Sequence, residues 1–181
     1  MNFKKKYHGN LSKSAIYVAR ELEAEAKLQR NLGRWFMVVR NGVGVGTAGL
    51  VSGYSSGVVE RFDFAIASMA DPRKVYVLVE VTGDLMDDVY AYILSDKLSK
   101  AFRSPIPVFF MYHKQRKNMW RVFSREYVKR YGELIKWLEG EKPYYRVILS
   151  KGWYFREWLV WLRKHYIPYA ERNRKYIIIT R

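Results

Sequence analysis

Two carboxylates, Asp63 and Glu80, lie in neighbouring stretches rich in β-branched and aromatic residues. These stretches, Val58–Ala67 and Val75–Val81, read as two strands because an Asp-Pro turn separates them. A charged group within a buried strand is costly to desolvate unless it is paired or binds a metal. If the two strands are adjacent, the carboxylates share one environment, which favours a divalent cation held by oxygen ligands.

The preceding segments predict the elements that position these carboxylates. Apolar residues recur at helical spacing from residue 11 to about 32, and Gly33 ends the helix. Glu21 lies at the margin of the apolar face, either as an ordinary solvated acid or as part of the site. Trp35–Arg40 reads as a strand. The glycine-rich segment 41–53 lacks a Walker motif, and is either a flexible hairpin or a loop whose backbone approaches a phosphate strand.

The rest of the chain is predicted to alternate between helices and strands. The predicted helices cover residues 84–102, 125–139 and 153–164, and the predicted strands cover 108–112, 120–124, 143–149 and 176–180. Asp87 and Asp88 are either a metal pair or acids that the dipole of the first of these helices favours. The turn at 113–118 carries three positive charges, which suits contact with a nucleic-acid backbone.

The chain is strongly basic, and the excess charge is concentrated in its C-terminal part. The 181 residues include 33 Lys and Arg against 17 Asp and Glu, a formal charge of +16. Residues 103–181 contain 19 of the basic and 6 of the acidic residues. Such an excess predicts a polyanionic partner, nucleic acid first and an anionic membrane surface second. The side chains predicted to contact nucleic acid are all basic: Arg40, Lys114, Arg116, Lys117, Arg121, Arg156, Arg163 and Lys164.

Several other classes of function are poorly supported. The absence of cysteine excludes disulfides, thiolate zinc sites and cysteine nucleophiles. The three histidines lie in basic segments, and no nucleophile elbow is present. No apolar run approaches 18 residues, and the basic N-terminus lacks a signal core, so we expect a soluble, cytoplasmic protein with no membrane partner.

The order of the predicted elements and their acids resembles the PD-(D/E)XK nuclease superfamily. Its core runs αβββαβ, with Asp on the second strand and Glu-x-Lys on the third, and Glu21, Asp63 and Glu80 stand in the matching places. Within the superfamily, the chain is most similar to the archaeal Holliday junction resolvases, through the strand ending in Arg40 and the glycine loop Gly42–Gly49.

The resemblance implies an α/β, restriction-endonuclease-like fold, with a mixed central sheet flanked by helices. The nuclease-like core would cover residues 1–112, with a basic tail over 1–10. Residues 113–181 would form a basic, aromatic-rich α+β extension packed on the same domain. The aromatic helix of this extension would stack on bases, pack in the core, or form the interface of a homodimer around Trp158.

The resemblance also implies metal-assisted hydrolysis of phosphodiester bonds, with DNA as the partner and RNA not excluded. Mg²⁺ or Mn²⁺ would be bound by Asp63, Glu80 and the carbonyl of Val81. Glu21 would reach the same metal, or a second one, through water.

One position departs from the pattern, since Thr82 stands where the superfamily has its lysine. Threonine can hydrogen-bond a water molecule but supplies no charge. Lys97 or Lys100, on the following helix, is a candidate replacement. Thr82 also favours an alternative, a nucleic-acid-binding protein that keeps the nuclease fold without the activity. The aromatic C-terminal part favours another, a basic structural or assembly protein.

Overall fold

A mixed β-sheet carries the predicted site. The computed structural model describes residues 3–41, 62–84, 88–136 and 142–179, with side chains described except for residues 3–14 and 116. The strands, in chain order, are β1 (Phe36–Arg40), β2 (Phe64–Ser68), β3 (Lys74–Asp84), β4 (Tyr90–Leu94), β5 (Val108–Lys114), β6 (Met119–Ser124), β7 (Glu133–Ile135), β8 (Tyr144–Ile148), β9 (Trp153–Tyr154) and β10 (Ile177–Ile178).

The helices, in chain order, are α1 (Phe3–Leu32), α2 (Ser95–Phe102), α3 (Arg125–Tyr131), α4 (Phe155–Trp161) and α5 (Ile167–Asn173). Short 3₁₀ turns occupy Gln115–Lys117 and Leu149–Lys151, and a π-helical turn, Leu162–Tyr166, joins α4 to α5. Within the part of the chain that the structure describes, no helix has the length and apolarity needed to cross a bilayer.

Within the described residues, the central sheet has seven strands and contains one parallel pair. Its order is β1-β2-β3-β5-β6-β9, and β10 pairs with the N-terminal end of β3. β3 and β5 are parallel, with Glu80 opposite Phe110, and the other neighbours are antiparallel. A parallel pair needs a crossover connection, and β4 and α2 supply it. β4, β8 and β7 form a separate antiparallel sheet in that order.

Two buried clusters cover the two faces of the central sheet. On one face, Leu28 of α1 and Trp158 of α4 pack with Val79 of β3. On the other face, Leu98 of α2 packs with Leu78 of β3. Residues alternate across a strand, so Glu80 shares the face of Leu78, toward α2. Both faces of the sheet are therefore covered, and the charged side chains between strand and helix are enclosed.

The structure confirms the predicted α/β class, with a mixed central sheet flanked by helices, and the core order αβββαβ with β4 added. β6, β9 and β10 from the C-terminal part join the same sheet, and residue 112 lies inside β5.

Four predicted boundaries are wrong. α1 already runs from Phe3, ahead of the predicted start. Residues 84–102 are not one helix, because Tyr90–Leu94 pairs with β8. The helix predicted over 125–139 ends at Gly132, and the next three residues also pair with β8. The helix predicted over 153–164 begins only at Phe155, because Trp153–Tyr154 pairs with β6, and it passes into a π-helical turn at Leu162.

Candidate active site

Asp63 lies where β1 ends and β2 begins. Arg40 is opposite Phe64, and the N–H of Asn41 donates to the carbonyl of Asp63 at 2.8 Å. The sequence predicted Asp63 in the middle of a strand, but it lies directly before β2. Its Oδ2 accepts the N–H of Val81 at 2.7 Å, so the carboxylate is fixed against β3. Residues 58–61 of the predicted strand lie outside the described residues.

Glu80 is a buried carboxylate, with 3% of the residue exposed. Its Oε1 is 2.9 Å from Nζ of Lys97, and its Oε2 is 2.8 Å from Nζ of Lys100. The two lysines are three residues apart on α2, which places them on one face of the helix. Lys97 also donates to the carbonyl of Val81 at 3.2 Å. The short helix α2 therefore delivers two ammonium groups to one glutamate.

The electrostatics of this group are strongly perturbed. Burial first, and then the charge of Glu80, raise the pKa of Asp63 to about 7. Burial alone would lower the pKa of Lys97, but the charges of Glu80 and Asp63 outweigh it and the pKa is raised. Lys97 thus stays protonated at neutral pH, while Asp63 is poised between its two forms. Such perturbed groups in one cluster are typical of functional sites.

Glu21 approaches the same region from α1 but is held by an arginine. Its Oε2 is 3.1 Å from the Arg40 guanidinium, which also lies 3.2 Å from Oε2 of Glu25. Glu21 and Glu25 are one helical turn apart, so a single guanidinium reaches both. The field of Glu21 contributes to the raised pKa of Asp63, which places it within electrostatic reach of the pair.

The C-terminal end of β3 is closed by a tight contact. Gly83 lies so close to β5 that an added Cβ would be 2.2 Å from the carbonyl oxygen of His113. The buried Arg20 donates to the carbonyl of Gly83 at 3.1 Å, and burial lowers its pKa. Thr82, beside it, is half-buried. α1 is thus tied to the end of the strand that carries Glu80 and Thr82.

Comparison with solved structures finds the same fold in a viral nuclease. A nuclease from a fusselovirus has a TM-score of 0.54 to this chain at 15% identity, covering 88% of this chain and 95% of that one. The chain has a nuclease fold. A Holliday junction resolvase, Hjc, from Archaeoglobus fulgidus has a TM-score of 0.42 at 14% identity, covering 78% of this chain and 93% of that one. No family model matches the sequence, and no curated protein matches it.

The nuclease fold raises the question of whether these residues suit a divalent cation. Carboxylate and carbonyl oxygens are the donors that Mg²⁺ prefers, and Asp63, Glu80 and Val81 offer both kinds. In the described ranges, no three acidic or histidine side chains converge on one point. Lys97 contacts both Glu80 and the carbonyl of Val81, so a cation bound there would replace its ammonium group. If Lys97 is displaced in this way, the oxygen atoms of Asp63, Glu80 and Val81 fit a divalent metal ion.

The basic residues predicted to contact nucleic acid fall into two groups. Lys114 is fully buried, with its Nζ 2.8 Å from Oδ1 of Asp84, so its prediction as a surface contact is wrong. Arg121 is also buried, 3.5 Å over the ring of Tyr154, and Arg40 is enclosed by its glutamates.

The remaining basic residues lie nearer the surface. Lys117 is exposed, with its Nζ 3.7 Å from Asp88, which is an ion-pair partner here; Asp87 lies outside the described residues. Arg156 and Lys164 are exposed, and Arg163 is half-buried. The side chain of residue 116 lies outside the described residues, as does the glycine loop 42–49.

The aromatic C-terminal helix is mainly a core element. Trp158 is fully buried and lies 5.4 Å from the ring of Phe109, centroid to centroid. Trp161 stacks on Tyr166 at 5.5 Å. The alternative that these rings pack in the core is therefore correct for Trp158, and the predicted homodimer interface around this helix stays a prediction.

Sequence reasoning missed two residues that build the site. Arg20 lies beside the apolar face of α1, and no sequence pattern distinguishes it from the other charged residues of that helix. Gly83 carried a signal, since a glycine directly after a β-branched strand indicates a close backbone approach.

Proposed function

We propose that the chain is a metal-dependent nuclease that hydrolyses phosphodiester bonds in DNA. The observation that carries the proposal is the meeting of Asp63, Glu80 and Lys97 at the end of the central strands of a nuclease fold. The buried carboxylate of Glu80, the half-buried carboxylate of Asp63 with a pKa of about 7, and an ammonium group form a charge arrangement that folding alone does not require.

Asp63, Glu80 and the carbonyl of Val81 would hold Mg²⁺ or Mn²⁺, with Glu21 at the margin. When bound, such a cation lowers the pKa of a water molecule and neutralises charge on the phosphorus oxygens. The N–H of Val81 donates to Oδ2 of Asp63. This hydrogen bond fixes the orientation of the whole carboxylate, and therefore also the direction of Oδ1. Arg40 holds Glu21 in place from β1.

Lys97 takes the role that Thr82 cannot fill. Its ammonium is 2.9 Å from Glu80, the residue that precedes the missing lysine position by two. Released from Glu80, the same ammonium would orient a water molecule or stabilise the negative charge on a phosphate. Lys100 would then remain to hold Glu80, since it contacts the other carboxylate oxygen.

The test is cleavage of labelled single-stranded, duplex and four-way-junction DNA with Mg²⁺, Mn²⁺ or EDTA. We expect cleavage that requires metal and falls to background in Asp63→Asn and Glu80→Gln. Lys97→Met should lower the rate about 100-fold, the usual effect of removing one charge-stabilising donor. Asp96→Asn is the matched control, because Asp96 is an exposed acid on the same helix, paired with Lys142. Cleavage that persists in both carboxylate variants would refute the proposal.

A second candidate function is nucleic-acid binding without catalysis. The observation that favours it is that both oxygens of Glu80 already have ammonium partners. This candidate predicts salt-sensitive DNA binding, no cleavage with any metal, and no Mg²⁺ binding by calorimetry. Tight metal binding that disappears in Glu80→Gln would exclude it.

A further inference from the structure

A cavity of about 460 Å³ lies at the end of α1 farthest from the helix N-terminus. It is formed where the end of α1 and the residues before β1 meet α4 and the turn that follows. Its polar and aromatic lining consists of Arg30, Asn31, Arg34, Trp35, Arg156 and Arg163, and we call it the arginine cavity. This volume is in the range of small-ligand sites.

The arginine cavity carries four guanidinium groups without a matching acid. Among the described residues, no acidic side chain lines it, and none of its four arginines forms an ion pair. One or two cations would suffice to complement the dipole at the end of α1. Four like charges around one cavity repel one another, and an anion relieves that repulsion.

The lining also offers an aromatic surface. Trp35 is 46% exposed, and the guanidinium of Arg163 lies 4.2 Å from the centre of its ring. Arginine binds phosphate with paired N–H donors, and tryptophan stacks on unpaired bases. The two together match a nucleotide, which has a phosphate and a base at adjacent positions, better than they match a simple anion.

The cavity is separate from the carboxylates. Arg30 follows Glu21 by nine residues on α1, a distance of about 14 Å along the helix. β1 separates Trp35 from Arg40 and gives a similar span of about 17 Å. The arginine cavity is therefore a site of its own, outside the cluster of Asp63, Glu80 and Lys97.

We propose that the arginine cavity binds an unpaired nucleotide of the DNA strand, at a distance from the bond that is cut. The arginines hold its phosphate, and its base stacks on Trp35. The ligand class rests on the proposed function, but the binding does not require catalysis. A nuclease with this second site would prefer DNA that has an unpaired segment near the cleavage point.

The test is fluorescence anisotropy in EDTA, with a labelled 12-nucleotide single strand and a blunt duplex of the same length. The double variant Arg156→Gln/Arg163→Gln is compared with Arg103→Gln/Arg172→Gln, which removes the same charge from exposed arginines outside the cavity. For the single strand, each lost phosphate contact lowers the slope of log affinity against log salt by about 0.7, so the cavity double should lower it by about 1.4.

Stacking is tested at Trp35. Trp35→Leu should weaken single-strand binding about tenfold, and Trp35→Phe should retain most of the affinity because it keeps a ring. Blunt duplex binding should change less in both, since its bases are paired. Competition with a mononucleotide identifies the source of the ligand. Displacement at equal concentrations would mean a free-nucleotide site and would overturn the strand assignment.

Equal losses in the cavity and control doubles would also overturn the proposal, because the effect would then be one of net charge. These outcomes are independent of the proposed function. Metal-dependent cleavage that needs Asp63, with no special effect of the cavity double, would reject only the cavity. Cavity-dependent binding without cleavage would reject only the nuclease.

Discussion

Replacing Asp63 by asparagine should stabilise the metal-free protein at alkaline pH. The asparagine oxygen can still accept the N–H of Val81, so the fold at this point is preserved. The change removes a negative charge that burial and Glu80 both disfavour. A residue that lowers stability where it stands has been retained for another reason, and function is the usual one.

The magnitude follows from the pKa of Asp63, which is about 7 in the folded protein against an ordinary value of 3.8. Each pKa unit corresponds to about 1.36 kcal/mol. The half-buried carboxylate keeps some solvent contact, so we expect about 2 to 4 kcal/mol rather than the full difference. The folded state binds the proton of Asp63 more tightly than the unfolded state does. The contribution of this proton to wild-type stability is therefore complete below pH 3.8 and is lost as pH rises through about 7.

The assay is urea denaturation of both proteins in EDTA from pH 4 to pH 8.5. We expect the difference in free energy of unfolding to be small at pH 4 and to grow in favour of the variant until about pH 8. Asp71→Asn is the control, because Arg73 lowers the pKa of that half-buried carboxylate and its loss should give no gain at high pH. A difference that does not vary with pH, or a variant that is less stable at pH 8, would refute the reasoning.

Three further predictions concern metal binding and packing. Mg²⁺ at 10 mM should raise the Tm of wild-type protein and leave that of Asp63→Asn unchanged in a thermal shift assay, because only a bound ligand stabilises the folded state. Gly83→Ala should cost about 3 kcal/mol or more in urea denaturation, because its Cβ would meet a backbone oxygen that cannot move alone. Lys114→Met should cost about 3 to 5 kcal/mol by the same measurement, because Asp84 loses its buried partner, and a cost below 1 kcal/mol would contradict the proposed burial.

The sequence marks Asp63 and Glu80 more directly than it marks the bounds of the helices. Asp63 and Glu80 were identifiable because a charged residue within a β-branched segment is unusual. A segment of this kind can be recognised from a few neighbouring residues. The strand Tyr90–Leu94 was missed because its pairing partner, β8, lies about 50 residues later in the chain. Local propensity carries no information about such a partner, and pairing with it overrides a helical pattern.

Predicted surface charges failed for a related reason. Lys114 belongs to a basic turn in the sequence, yet the fold turns its side chain inward to Asp84. Arg121 alternates with apolar neighbours in β6. Such alternation indicates that the charged side chain is exposed only when no other element covers its face of the strand. Here the ring of Tyr154, brought in by β9, covers the guanidinium. Charge counting therefore predicts at most a class of partner, whereas the location of each charge requires the sheet order.

The exchange of lysine for Thr82 shows why order matters more than a linear motif. The proposed site requires an ammonium group near Glu80, whichever element supplies that group. α2 is the crossover between the parallel strands β3 and β5, so its residues pass over the face of β3 on which Glu80 lies. Lys97 lies on α2 with its ammonium group 2.9 Å from Glu80, so under the proposed function it would supply the charge that Thr82 lacks.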